Sequence, residues 1–230
     1  MQRESTGIRS VDQMIQGGLP SKSIIGLSGP PGIGKSIFSL HFLLQGARKG
    51  QKCLYINLEE PRNNINHMIR QFDFAELFLK YVKEGKIVIK CFTYSEYENI
   101  YSDLIQKIKE DQTINRLVID SYNCFFASVS SSEESTKANV RRMINQTFSM
   151  LREKKLTTIL ILEMQQDHAG LLYNIPYLTD GSINLNFLEL GTIERRLFIP
   201  KMRWTDQCKE SKVFEINHKG IVVLDEKEED

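Results

Sequence analysis

The chain has 230 residues, of which 41% are hydrophobic and 26% charged, with a formal net charge of +1. Such length and composition suit one sizeable α/β domain and exclude a low-complexity or fibrous chain. The near-neutral balance excludes a whole-molecule field drawing the chain onto nucleic acid or an anionic membrane, while leaving local basic clusters open.

In chain order, Ile24–Ser28 is a short apolar run closed by Gly29, and helical spacing follows over Ile37–Gln45. Lys52–Leu58 predicts a second strand. Pro61 suits the first turn of a helix over Asn63–Phe72, striped by Ile65, Met68, Ile69 and Phe72. Ile87–Phe92 reads as a strand, Tyr97–Ile108 as a helix and Arg116–Asp120 as a strand. A Ser-rich loop, a helix over Ala138–Lys154 and a strand over Thr157–Leu162 follow. Alternating apolar strands and helices predict a mostly parallel sheet flanked by helices.

The character then changes. Gly181–Leu188, Arg195–Met202, Lys212–Asn217 and Ile221–Leu224 are extended runs without helices between them, and 189–192 reads as a hairpin connection. An antiparallel extension at the C-terminal side is therefore expected. Residues 1–224 read as one domain, and the acidic tail 225–230 as disordered. The four cysteines (Cys53, Cys91, Cys124, Cys208) form no C-x-x-C pair, which argues against a zinc site or a disulfide framework. With no apolar signal segment at the N-terminus and no apolar stretch of spanning length, a cytoplasmic protein without a membrane partner is expected.

Gly29-Pro30-Pro31-Gly32-Ile33-Gly34-Lys35-Ser36, continuing into Ile37, matches the phosphate-loop pattern G-x-x-x-x-G-K-S/T between a strand and a helix. Glycines let successive backbone N–H groups turn inward on phosphates, and the helix N-terminus adds partial positive charge. In that pattern Lys35 reaches the β- and γ-phosphates of ATP and the Ser36 hydroxyl ligates Mg²⁺. Asp120, at the carboxyl end of a predicted central strand, is placed for the Mg²⁺ shell. Glu59 and Glu60 end the second strand, where a carboxylate is needed to orient and deprotonate the attacking water. Adjacent strand residues point to opposite faces, so one of the pair faces the γ-phosphate while the other caps a helix or pairs with a base.

With these residues placed, the sequence resembles the RecA superfamily, and within it the single-domain KaiC-like ATPases and archaeal RadA paralogues. The resemblance runs from Ser5 to about Leu224. It rests on Ser5-Thr6-Gly7-Ile8 with Asp12, on Gly17-Gly18-Leu19-Pro20, on the phosphate loop and on the second strand ending in Glu59-Glu60. Leu117–Ser121, Thr179-Asp180-Gly181 and Lys201-Met202-Arg203 complete it. It implies a RecA-like P-loop core, a Mg²⁺-dependent ATPase, and Glu59 as the general base. It further implies that Lys201 and Arg203 reach the neighbouring subunit's nucleotide in a homo-oligomeric, hexameric ring with ATP at the interfaces. Gln165 resembles the family's γ-phosphate-sensing glutamine, although the neighbouring Glu163-Met164 departs from the pattern. Where the circadian-clock member carries an autophosphorylated Ser-Thr pair, this chain has Pro176 and Tyr177, so clock-type autophosphorylation is not expected.

The resemblance implies DNA recombination or repair as the context, with single-stranded DNA or a recombinase as partner. The segments expected to meet DNA, Ser121–Ser135 and Met164–Leu178, contain no Lys or Arg, which counts against tight binding through phosphate contacts. Phe125 and Phe126 could stack bases, although two adjacent Phe after a strand more often belong to the core; Arg141-Arg142, Arg152-Lys154-Lys155 and Arg195-Arg196 are the basic clusters. The alternative is a regulatory ring ATPase acting through a protein partner.

Overall fold

The structure, a computed structural model, describes residues 1–92, 97–126, 134–163, 175–190 and 192–224. The expected tail 225–230 and Gln165 lie outside the described residues.

Nine strands form one sheet. In chain order they are β3 (Ile24–Gly29), β4 (Lys52–Asn57), β5 (Ile87–Cys91), β6 (Ile114–Asp120), β7 (Thr157–Glu163), β8 (Gly181–Leu190), β9 (Thr192–Met202), β10 (Lys212–Asn217) and β11 (Gly220–Val223). The spatial order is β11-β10-β9-β8-β3-β7-β6-β4-β5, with β1 (Arg3–Glu4) and β2 (Leu19–Pro20) forming a separate small ribbon. From β8 to β5 every pairing is parallel; β8 to β11 pair antiparallel. This is the mostly parallel sheet with an antiparallel C-terminal side that the sequence predicts. Between Ser182 and Asn184, β9 carries an extra residue at Ile199-Pro200, and the bulge accommodates a proline that has no N–H for the ladder.

The helices are α1 (Arg9–Met14), α2 (Lys35–Arg48), α3 (Arg62–Ile69), α4 (Ala75–Lys83), α5 (Tyr97–Glu110), α6 (Glu134–Lys154) and the short α7 (Ile175–Leu178), with a 3-10 turn at Tyr122–Phe126. Three of them, α1, α4 and α7, add to the elements predicted from sequence. Phe78 of α4 packs in the same core as Ile65 and Ile69 of α3.

Strand alternation divides the core into two layers. Ile25 and Leu27 of β3, Cys53 and Tyr55 of β4, Val118 of β6, and Ile159 and Ile161 of β7 pack on the α2 side. Ile24, Leu54, Ile56, Leu117, Ile119, Leu160 and Leu162 pack on the α5–α6 side. Both faces are covered, which is why these strands read as unbroken apolar runs.

One buried charge pair joins the N-terminus to this core. Arg116 of β6 is fully buried; it pairs with Glu4 at 2.7 Å and donates to Gln51 Oε1 and to the carbonyls of Ser5 and Phe42. The Ser5-Thr6 motif likewise serves the fold: the Asp12 carboxylate accepts from the Ser5 hydroxyl and from the Thr6 amide and hydroxyl.

Candidate phosphate-binding site

The loop after β3 leaves the carboxyl edge of the sheet and enters α2 through Gly34, whose φ of 117° disfavours any side chain. A Cβ there would also meet the Ile216 side chain of β10 at 2.8 Å. Gly32, at φ 73°, has nothing within 4 Å of a Cβ position, so the loop's turn is open on that side. The curled backbone and the first turn of a 14-residue helix make a cradle of N–H donors that fits a chain of phosphates.

Lys35, the first residue of α2, is 7% exposed, and its ammonium donates to the carbonyls of Gly29 and Pro30 at 2.9 and 3.0 Å. Burial lowers its pKa, and the carboxylates of Glu163, Asp120 and Glu59 oppose that shift. Those three acids stand at the ends of β7 and β6 and just past the end of β4. The Lys35 cation at the mouth of the phosphate loop thus feels acids that close two strands and follow a third.

Asp120 belongs to the α2 side of the sheet by the same alternation as Val118. Its Oδ2 accepts from the Ser36 hydroxyl at 2.7 Å and from the Tyr55 hydroxyl at 2.5 Å. Burial pushes its pKa up to about 6, against the pull of those two donors. A hydroxyl and a carboxylate side by side are the hard oxygen donors that suit Mg²⁺, which keeps several of its waters. These two residues fit that ion. The peptide bond after Asp120 is cis.

The two glutamates after β4 diverge. The strand ends at Asn57, whose buried side-chain oxygen accepts the backbone N–H of both Glu59 and Glu60, at 3.1 and 2.6 Å. The turn this creates sends Glu60 toward α3, where its carboxylate accepts from Asn64 at 2.6 Å. Glu59 accepts from the Cys124 thiol at 3.7 Å, on the turn after β6, and its charge acts on Lys35, Asp120 and Glu163. Of the pair, Glu59 is the one directed into the site.

Lys201 and Arg203 lie elsewhere. The Lys201 ammonium donates to the carbonyls of Pro176, Tyr177 and Thr179, and Arg203 pairs with Asp180 at 3.3 Å. Asp180 in turn accepts the N–H of Ile24, the first residue of β3. The pair therefore sits at the start of β3, whereas the phosphate loop leaves its other end, roughly 17 Å along a six-residue strand. Within one chain they stand apart from the phosphate loop. Arg203 lies in the turn just beyond β9.

Among the nucleic-acid candidates, Phe125 is buried and packs edge-on against Tyr101 and Tyr122, so it is a core residue. The Phe126 side chain lies outside what the structure describes. Arg152 pairs with Asp180, Arg196 with Glu194, and Arg195 lies over the Phe187 ring. Arg141 and Arg142 are exposed; with Lys109 they border a groove of about 920 Å³ between α5 and α6, on the sheet face opposite α2. Sequence reasoning had no signal for Tyr55, Asn57 or Asn123 beyond the strand parity that points the first two toward α2.

Comparison with known proteins adds a family. The family model for the KaiC ATPase matches residues 4–228. A UPF0273 protein of Pyrococcus furiosus is 30% identical over 245 residues, covering 99% of this chain and 96% of the relative. A UPF0273 protein of Thermotoga maritima is 27% identical, covering 97% of this chain and 96% of the relative. The crystal structure of a KaiC-like protein from Pyrococcus horikoshii superposes with a TM-score of 0.79 at 30% identity, over 97% of this chain and 99% of that one.

Proposed function

The chain belongs to the KaiC family of ATPases, and on that premise we propose that it binds ATP with Mg²⁺ at Gly29–Ser36 and hydrolyses it. The observation that carries this reading is the convergence of Lys35, the Ser36–Asp120 pair and Glu59 at the carboxyl edge of the sheet. Lys35 and the α2 N-terminus draw the phosphates into the loop. Ser36 and Asp120 would hold Mg²⁺, which neutralises charge developing on the phosphate oxygens. Glu59 orients a water and takes its proton as the water oxygen bonds to the terminal phosphorus. The bond from that phosphorus to the bridging oxygen breaks, leaving ADP and phosphate.

In this reading the working unit is a homo-oligomeric ring, a hexamer as in the family. Lys201 and Arg203 of one subunit complete the site of the next, and their place at the far end of β3 supports a role in trans over one in cis. The biological context we carry from the resemblance is a recombination or repair accessory that meets single-stranded DNA or a recombinase. A protein-regulated ATPase is the second reading. It is favoured by the absence of Lys and Arg from 121–135 and 164–178 and by the core placement of Phe125.

Steady-state ATP turnover with and without single-stranded DNA decides between the two. Stimulation or inhibition that tracks DNA concentration supports the DNA context. Turnover indifferent to DNA, at salt low enough for phosphate contacts to form, removes that context in favour of a protein partner.

A further inference from the structure

Glu163 is the last residue of β7, and in the parallel register it stands opposite Gly29, the first glycine of the phosphate loop. Ile159 and Ile161 of the same strand pack on the α2 side, so the period of two sends Glu163 that way as well, toward the loop. One side chain fixes its backbone from both sides. Asn123 accepts the Glu163 N–H at 2.9 Å and donates to its carbonyl at 3.0 Å. Asn123 lies in the turn directly after Asp120, so this clamp locks the end of β7 to the end of β6.

The carboxyl group is half-buried beside Glu59 and Lys35; burial and the Glu59 charge push its pKa up, and Lys35 opposes them. Of the acids acting on Lys35, Glu163 comes first, ahead of Asp120 and Glu59. Among the described residues the cluster sets these three carboxylates around the Lys35 ammonium. Asp120 is accounted for by Mg²⁺ and Glu59 by water activation. Glu163 is a further negative charge at the place where a polyanion must bind, and the mechanism above does not use it.

We propose that Glu163 is a specificity-determining residue of the phosphate site, its carboxylate facing the terminal phosphate and lowering the preference for ATP over ADP. This rests on the phosphate-site reading above. Like charges at this range repel most in the ATP complex, and the repulsion is relieved when the terminal phosphate departs. ADP, which ends one phosphate earlier, does not meet it to the same degree.

The test is isothermal titration calorimetry with ADP and with the non-hydrolysable analogue AMP-PNP, both with Mg²⁺, on the parent, Glu163→Gln and Glu163→Ala. The Asn123 clamp holds main-chain atoms, so neither replacement removes it. Both variants should tighten AMP-PNP by about tenfold relative to ADP, while ADP affinity stays within about twofold of the parent. If either variant fails to fold, the other decides. An unchanged ratio, or weaker AMP-PNP binding, in a folded variant of a parent that binds both nucleotides overturns the Glu163 assignment alone. A parent that binds neither overturns the phosphate-site reading, and this inference with it.

Discussion

Ser36 and Asp120, 84 residues apart in the chain, meet in a 2.7 Å hydrogen bond, and Tyr55 donates to the same Asp120 oxygen from beneath. The loop proposed to hold phosphate and the strand that ends in Asp120 are therefore already in register. The carboxylate is fully desolvated apart from these donors, which is why burial dominates its pKa. Replacing Asp120 with Asn keeps both hydrogen bonds and removes the charge. Mg²⁺-dependent nucleotide affinity should fall at least about tenfold. The nucleotide-free protein should melt at the same temperature or higher, because a buried charge has been removed. Calorimetric titration with and without Mg²⁺, beside a thermal melt, checks both halves.

The divergence of the two glutamates predicts unequal variants. Glu59→Gln should lower turnover by about a hundredfold or more while leaving ATP binding near that of the parent. Glu60→Gln keeps an oxygen that can accept from Asn64 on α3 and should stay within about threefold. A larger effect at Glu60 would place the base on the wrong residue.

Stability should respond to acid through His41. This histidine of α2 accepts the N–H of Ile221 on β11 at 3.1 Å and packs edge-on against Phe74. Burial, then the charge of Arg48, lowers its pKa from 6.5 to about 4. The folded state therefore binds this proton less readily than the unfolded state. Its contribution is complete above pH 6.5 and is lost as pH falls toward 4, at most on the order of 3 kcal/mol. Urea midpoints between pH 7.5 and 4.5 should fall more in the parent than in His41→Gln. Parallel pH curves for the two would show that His41 is not the source.

The position of Lys201 and Arg203 at the far end of β3 makes subunit mixing informative. Arg203→Ala and Lys35→Ala proteins should each be inactive alone. Mixed under conditions of subunit exchange, they should regain part of the parent's turnover, because an intact phosphate loop then faces an intact Arg203 on a neighbour. No recovery in mixed oligomers would contradict the shared site.

Much of this architecture was legible in the chain because the chemistry leaves few choices. A glycine-rich turn ending in Lys35-Ser36 between a strand and a helix is a phosphate cradle by construction, and Asp120 is marked as an acid closing an apolar strand. Strands buried on both faces announce themselves as continuous apolar runs, and the shift to the antiparallel side shows as extended segments without intervening helices. Other features depend on contacts that spacing does not encode. Alternation could not choose between Glu59 and Glu60, because β4 ends two residues earlier and the turn is set by Asn57. Tyr55 reads as an aromatic core residue until its hydroxyl is seen on Asp120. Phe125 could be a core or a stacking residue from sequence alone, with core favoured for a Phe pair after a strand, and Tyr101 and Tyr122 around it place it in the core. Glu163 stood out in the sequence only as a departure beside Gln165; its meaning comes from the register that sets it opposite Gly29.

The most direct test of the account is phosphate release from ATP by the purified protein with Mg²⁺, measured beside Lys35→Ala. Lys35 is where the proposed phosphate binding and the surrounding acids converge. The account predicts release that depends on Mg²⁺ and saturates with ATP in the parent, and none above background in Lys35→Ala. Equal release by the two proteins would contradict it, as would a parent that neither binds nor turns over ATP.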